Sequence, residues 1–206
     1  MKYTNYILFG LILFLFIFIF NKRNIFEVNT HNNKKDLILV NKNYPLNKDY
    51  VPKDLIYIED IDCVREVYLD KETYYNLKNF NDFLIKNNIF ITIFSGYRSY
   101  MYQELIYTDS IYQAKPGYSE HQTGLAVDIS LRNIGLIVDF KYTIEYKIIL
   151  NNCYKFGFIL RYPENKESVT GYPYEPWHFR YVGVNNSFYI HQNNLTLEEF
   201  LIKNNV

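Results

Sequence analysis

The constraint that weighs most on this chain is a carboxylate set inside an apolar, strand-forming stretch. Leu125-Ala126-Val127-Asp128-Ile129-Ser130 alternates so that Ala126 and Asp128 share one face, while Leu125, Val127 and Ile129 take the other. His121 stands just before this strand, within Ser119-Glu120-His121-Gln122-Thr123-Gly124. Glu175-Pro176-Trp177-His178 leads into a further strand-like segment, Trp177 to Val182. Neighbouring antiparallel strands bring such side chains into one coordination sphere. Two imidazoles, one carboxylate and a second, separate carboxylate are the components of a catalytic zinc site, in which three protein ligands leave a fourth position for water. Each residue alone says little. Together they read as a metal-dependent hydrolase, with His121, Asp128 and His178 as ligands of Zn²⁺, although mixed nitrogen and oxygen ligation does not exclude other divalent ions.

Glu175 lies three residues before His178, and Pro176 stiffens the loop between them. That spacing lets the carboxylate approach a metal-bound water without ligating, the place of a general base. The competing reading is a salt bridge to Arg180 or Lys166. Arg98 follows a strand, within Ser95-Gly96-Tyr97-Arg98-Ser99. A guanidinium there can stabilise an oxyanion or clamp a substrate carboxylate with two parallel hydrogen bonds, and a structural pairing with Glu120 is equally open. Trp177 either walls the cleft or belongs to the core.

Elsewhere the chain reads as one domain. Residues 70–88 carry Tyr74, Leu77, Phe80, Phe83 and Leu84 at helical spacing, and Ile89 to Phe94 reads as a strand. A short helix is expected through Gln103 and Ile106, a longer one over 142–155, a strand over Phe158–Tyr162 and a helical tail from Leu195 to Ile202. The class is α+β, a small antiparallel sheet with helices packed on one side. With 206 residues and a formal net charge of zero, the chain can bury a real core and lacks the basic balance of a nucleic-acid binder. Cys63 and Cys153 lie in no metal-binding spacing and read as small buried residues rather than a disulfide.

The amino terminus is different in kind. Ile7 to Phe20 is apolar except for Gly10, with Lys2 before it and Lys22-Arg23 after it. Residues 1–20 therefore read as a signal-anchor, or as a cleaved signal peptide in second place, since no small-x-small cleavage site follows. The near-symmetric flanking charges do not set the orientation. Residues 21–36 read as a polar tether, and 37–206 as the folded domain.

Several long motifs stand in order along the chain: Ser95-Gly96-Tyr97-Arg98-Ser99 with Gln103; Pro116 through Asp128; Tyr154-Lys155-Phe156-Gly157-Phe158 through Pro163; and Thr170-Gly171-Tyr172 with Glu175 through Gly183. Together they resemble those of the VanY-type D-alanyl-D-alanine carboxypeptidases. Leu39-Val40-Asn41 at the start of the domain and Leu195 through Glu199 near its end are similar too, so the likeness covers roughly residues 37–201. The resemblance implies a zinc peptidase of the hedgehog/lysostaphin-like metallopeptidase fold, acting on peptidoglycan stem peptides. It puts the ligands on His121, Asp128 and His178, the base on Glu175, the transition-state arginine on Arg98, and substrate contacts on Ser119 and Gln103. The stretch from Gln103 to Ala114 departs from the family, as do Cys153 and Tyr146, which stand where alanine and tryptophan are usual.

The expected activity is removal of the terminal D-alanine, on the outer face of a bacterial membrane to which the N-terminal segment tethers the domain. An L,D-carboxypeptidase or a peptidoglycan endopeptidase on the same zinc site is the first alternative. A zinc-bearing wall-binding module without catalysis is the second, and Glu175 and Arg98 speak against it.

Overall fold

The computed structural model describes residues 35–206. Residues 1–34, with the expected anchor and most of the tether, lie outside the described residues. Among the described residues no helix is long and apolar enough to cross a membrane.

The chain opens with a two-stranded antiparallel ribbon, β1 (Leu55–Tyr57) and β2 (Tyr68–Asp70). Asp70 ends β2 and caps the next element, its carboxylate accepting from the Glu72 amide at 3.2 Å, which satisfies one of the orphan donors of a helix start. That element, α1 (Lys71–Lys86), buries Leu77, Phe80 and Leu84 along one stripe. Asn88, with φ +59°, then reverses the chain, and the Ile89 amide bonds back to the Leu84 carbonyl at 2.9 Å. The expected strand at Ile89 therefore starts later. Ile89 and Ile91 are spent crossing into the core, and β3 runs Thr92–Ser95.

After α2 (Tyr100–Ile106) and a 3-10 turn at Glu120–Thr123 comes β4 (Ala126–Ser130), the centre of the fold. β4 pairs antiparallel with β3 on one side and with β6 (His178–Tyr181) on the other, and β5 (Phe158–Leu160) completes the order β3-β4-β6-β5. The expected alternation holds. Leu125, Val127 and Ile129 join Leu77, Phe80, Leu84, Phe158 and Phe179 in the main core, against α1. The other face carries Ala126 and Asp128, paired in register with Arg180 and His178. Ile159, opposite Arg180, belongs to a second, smaller cluster with Leu37, Ile190, Leu197 and Phe200. That cluster seats the two C-terminal helices.

The expected helix over 142–155 is broken in two. Thr143 caps α3 (Ile144–Leu150) by accepting from the Tyr146 amide, and Asn151-Asn152 ends it before a 3-10 turn at Cys153–Phe156. Asparagine side chains compete for backbone groups, and the Asn152 amide donates to the Ile148 carbonyl. Gly157 follows at φ +87°, where an added Cβ would lie 2.4 Å from the Tyr181 ring. A short helix, α4 (Glu167–Thr170), precedes β6; α5 (Val184–Gln192) and α6 (Leu197–Asn204) follow it. The tail helix is as expected, with Thr196 and Glu199 forming a full capping box. Both cysteines are free, and burial pushes the Cys63 and Cys153 thiols up to about 11 and about 12.

Candidate active site

Asp128 and His178 are direct cross-strand partners on β4 and β6, which is why their side chains meet. His121 comes from the 3-10 turn that leads into β4. One ligand atom from each of the three residues lies within 4.8 Å of the others, and all three residues are buried. His121 Nε2 is 3.2 Å from Asp128 Oδ2, and His178 Nδ1 is 3.1 Å from Asp128 Oδ1.

The second nitrogen of each ring is also held. His121 Nδ1 is 2.7 Å from the Gly96 carbonyl, which makes that nitrogen the donor and leaves Nε2 as a lone pair facing Asp128. Gly96 is glycine for a steric reason: a Cβ there would sit 2.5 Å from Val67 Cγ1 and 2.6 Å from the Tyr68 carbonyl. His178 Nε2 faces Glu120 Oε2 at 3.6 Å.

The electrostatics divide the two imidazoles. Burial, reinforced by the Arg98 charge, takes His121 down to about 4. Burial also opposes a charge on His178, yet the adjoining carboxylates of Asp128 and Glu120 outweigh it and raise that ring to about 9. Asp128 is buried as well, but the two histidines hold it well below the usual carboxylate range. His121 Nε2 and Asp128 Oδ1 have no hydrogen bond, which is costly for buried polar atoms. A divalent cation among them would answer that cost and displace the proton from His178. The residues present therefore fit zinc: two nitrogens and one oxygen, buried on one side and open to a cleft on the other.

Glu175 stands at the edge of this cluster, Oε2 lying 3.5 Å from His178 Nδ1. Burial is the main reason its carboxyl is pushed up to about 8, with the charge on Asp128 adding to the effect. A cation beside it would pull that value down again. Neither salt bridge considered for Glu175 forms: Arg180 pairs with Glu120, and Lys166 with Glu199. Its backbone is fixed instead, the Glu175 amide donating to the Tyr162 carbonyl at 3.1 Å.

Arg98 lines the same cleft. It donates to Ser95 Oγ at 3.0 Å and to Ser119 Oγ at 3.4 Å, and Nη1 is 4.0 Å from Asp128 Oδ2. It does not pair with Glu120. Gln103, Ser119 and Trp177 all line the same cleft, about 200 Å³ in volume. Ser119 is thus placed beside Arg98. Gln103 donates its Nε2 to the Ala114 carbonyl at 2.8 Å, which leaves Oε1 without a partner. As placed, its free atom is an acceptor, where a carboxylate-binding role needs a donor. Trp177 is both wall and core: it is largely buried, and its ring packs on Tyr112 at 5.9 Å.

Sequence reasoning missed the support behind His178. Tyr162 packs its ring 4.8 Å from the imidazole. Behind Glu120 stand Arg161 and Arg180, each donating to Glu120 Oε1 at 2.7 Å. Glu120 entered the sequence reading only as a partner for Arg98. The signal available was its place beside His121, but nothing local pointed to arginines some forty and sixty residues on.

Residues 66–184 match the sequence pattern of the family described as VanY, D-alanyl-D-alanine carboxypeptidase. The chain belongs to this family. It is 42% identical over 189 residues to a putative carboxypeptidase, YodJ, of Bacillus subtilis (strain 168), covering 84% of this chain and 69% of that protein. Among solved structures it is similar to the L,D-carboxypeptidase LdcB, described for its recognition of peptidoglycan, with 42% identity, a TM-score of 0.77 and coverage of 83% of this chain and 88% of that one. It is also similar to a variant of the vancomycin-resistance D,D-pentapeptidase VanY from a VanB-type cassette in complex with Zn(II), with 32% identity, a TM-score of 0.69 and coverage of 81% and 99%. The VanY family fold is thus the fold of this domain, a small antiparallel sheet with helices.

Proposed function

We propose that this protein is a zinc-dependent D-alanyl-D-alanine carboxypeptidase that removes the terminal D-alanine from peptidoglycan stem peptides. The observation that carries the reading is the convergence of His121, Asp128 and His178 with Glu175 and Arg98 in a single cleft. His121, Asp128 and His178 are the ligands. A bound zinc ion supplies Lewis acidity, lowering the pKa of its water and polarising the scissile carbonyl.

Glu175 takes the proton from the attacking water and returns it to the departing amine, a role suited to a carboxyl that lies beside the three converging groups without being one of them. Arg98, held by Ser95 and Ser119, points its guanidinium toward the oxygen on which charge develops. Ser119 contacts the substrate carboxylate beside it, Gln103 accepts from a substrate N–H through Oε1, and Trp177 walls the cleft. The N-terminal apolar run tethers residues 37–206 outside the membrane, where peptidoglycan is found.

The test is mass analysis of peptides incubated with the protein. Release of D-alanine from a stem peptide ending in D-Ala-D-Ala, and little from its C-terminal amide, is expected, because the buried donors need a free carboxylate. Equal rates on the two would overturn the carboxypeptidase reading. The greater identity to LdcB favours an L,D-carboxypeptidase as the second reading. Cleavage of the tetrapeptide in preference to the pentapeptide would establish it.

A further inference from the structure

Behind the site lies a buried cluster of four charges. Arg161 donates through Nε to Glu120 Oε1 at 2.7 Å, and through Nη1 and Nη2 to the two oxygens of Glu198 at 2.9 and 2.6 Å. Arg180 donates to the same Glu120 oxygen and to the backbone carbonyls of Asp36 and Ile38. Asn41 donates to Glu198 Oε1 at 3.1 Å. Arg161, Arg180, Glu120 and Glu198 are all buried, so their two positive and two negative charges balance out of water.

We propose that Glu198, on the last helix, is a positioning residue for the metal site, acting through Arg161 and Glu120 on the imidazole of His178. The inference rests on the zinc-site reading above. Its first support is the division of labour at Glu120. Oε1 takes both guanidinium groups, while Oε2 is buried with no hydrogen bond, facing His178 Nε2, which is equally without one. Two complementary orphans 3.6 Å apart need to close by only about 0.8 Å to bond. A carboxylate behind a ligating histidine fixes its orientation and strengthens it as a donor to the metal.

The second support is Arg161 itself. Its amide donates to the His178 carbonyl at 3.1 Å, and its guanidinium lies 5.0 Å over the ring of Tyr162, the residue that packs on His178 and holds the Glu175 amide. Any shift of Arg161 therefore reaches a ligand and the base together. Without the Glu198 charge, Glu120 is left as the only carboxylate bonded to the two guanidinium groups and is drawn further toward them, away from His178.

Glu199 provides the matched control. It sits one residue along on the same helix, pairs with Lys166 and closes the capping box, with no hydrogen bond or ion pair to Arg161. Zinc affinity of the full chain is measured by chelator competition, with a thermal melt of the metal-free protein alongside. Glu198→Gln should weaken zinc binding about tenfold, whereas Glu199→Gln should lower the melting temperature and leave zinc affinity unchanged. Unchanged affinity in Glu198→Gln, or an equal loss in both variants, would overturn the proposal and reduce Glu198 to a fold-stabilising residue. Should Glu198→Gln not fold, Arg161→Lys is measured in its place: an ammonium keeps the buried charge but lacks the planar fork that joins Glu120 to Glu198, so zinc affinity should fall by a similar factor, and unchanged affinity would overturn the proposal. A wild-type chain that does not bind zinc would instead sink the metal reading, and this inference with it.

Discussion

At the scale of single residues, the proposed ligands, base and oxyanion donor stand on different supports, so each role can be tested apart from the others. Glu175 touches His178 but is not one of the three converging groups, so Glu175→Gln should keep zinc and fold while losing activity by roughly a hundredfold or more. Metal analysis and a rate assay on one preparation check both halves; a variant that hydrolyses normally would show Glu175 to be structural. His178→Ala, by contrast, should lose most of its zinc. Arg98 holds two hydroxyls and faces the cleft. Arg98→Ala should lower kcat on the order of ten- to a thousandfold, and Arg98→Lys should recover only part of that, since an ammonium lacks the planar fork. Full recovery by lysine would mean that only charge matters there.

At the scale of elements, what could be read in the sequence was what local pattern controls. α1 is announced by its apolar stripe, β4 by its alternation, and α6 by Thr196 with Glu199, and all three stand where their periodicity puts them. The convergence of His121, Asp128, His178 and Glu175 on one cleft was legible because motif and strand alternation are local too. The break at Asn151-Asn152 was not, nor was α5, whose residues Val184–Gln192 carry only a weak apolar stripe. The ribbon β1–β2 and the charge cluster were hidden for another reason: their partners are set by tertiary packing. The opening segment 35–41 shows what such packing does to a titration. Burial, with the Glu72 charge adding to it, raises the Asp36 carboxyl to about 6. A carboxyl raised above its unfolded value contributes fully at low pH, and the contribution is lost as pH rises from about 4 through about 6. Asp36→Asn should therefore raise the melting temperature by about 2–4 °C at pH 7 and change little at pH 4. An equal shift at both pH values would show that the carboxylate charge is not the cause.

At the scale of the whole molecule, the proposed tether would leave the catalytic domain open to attack from outside the membrane. Protease added to intact spheroplasts should then remove residues 37–206, and full protection would reverse the orientation.

The bond between Asn41 and Glu198 spans 157 residues. Closing a loop that long costs little more than closing a shorter one, but it cannot close before its far end exists. Until the final helix arrives, Arg161 has only part of its carboxylate complement, and a buried charge so exposed to imbalance resists packing. A chain whose Leu197–Asn204 helix is not yet in place would thus hold an unfinished pocket, and hydrolytic competence would come with the docking of that helix rather than with the motifs that carry the chemistry.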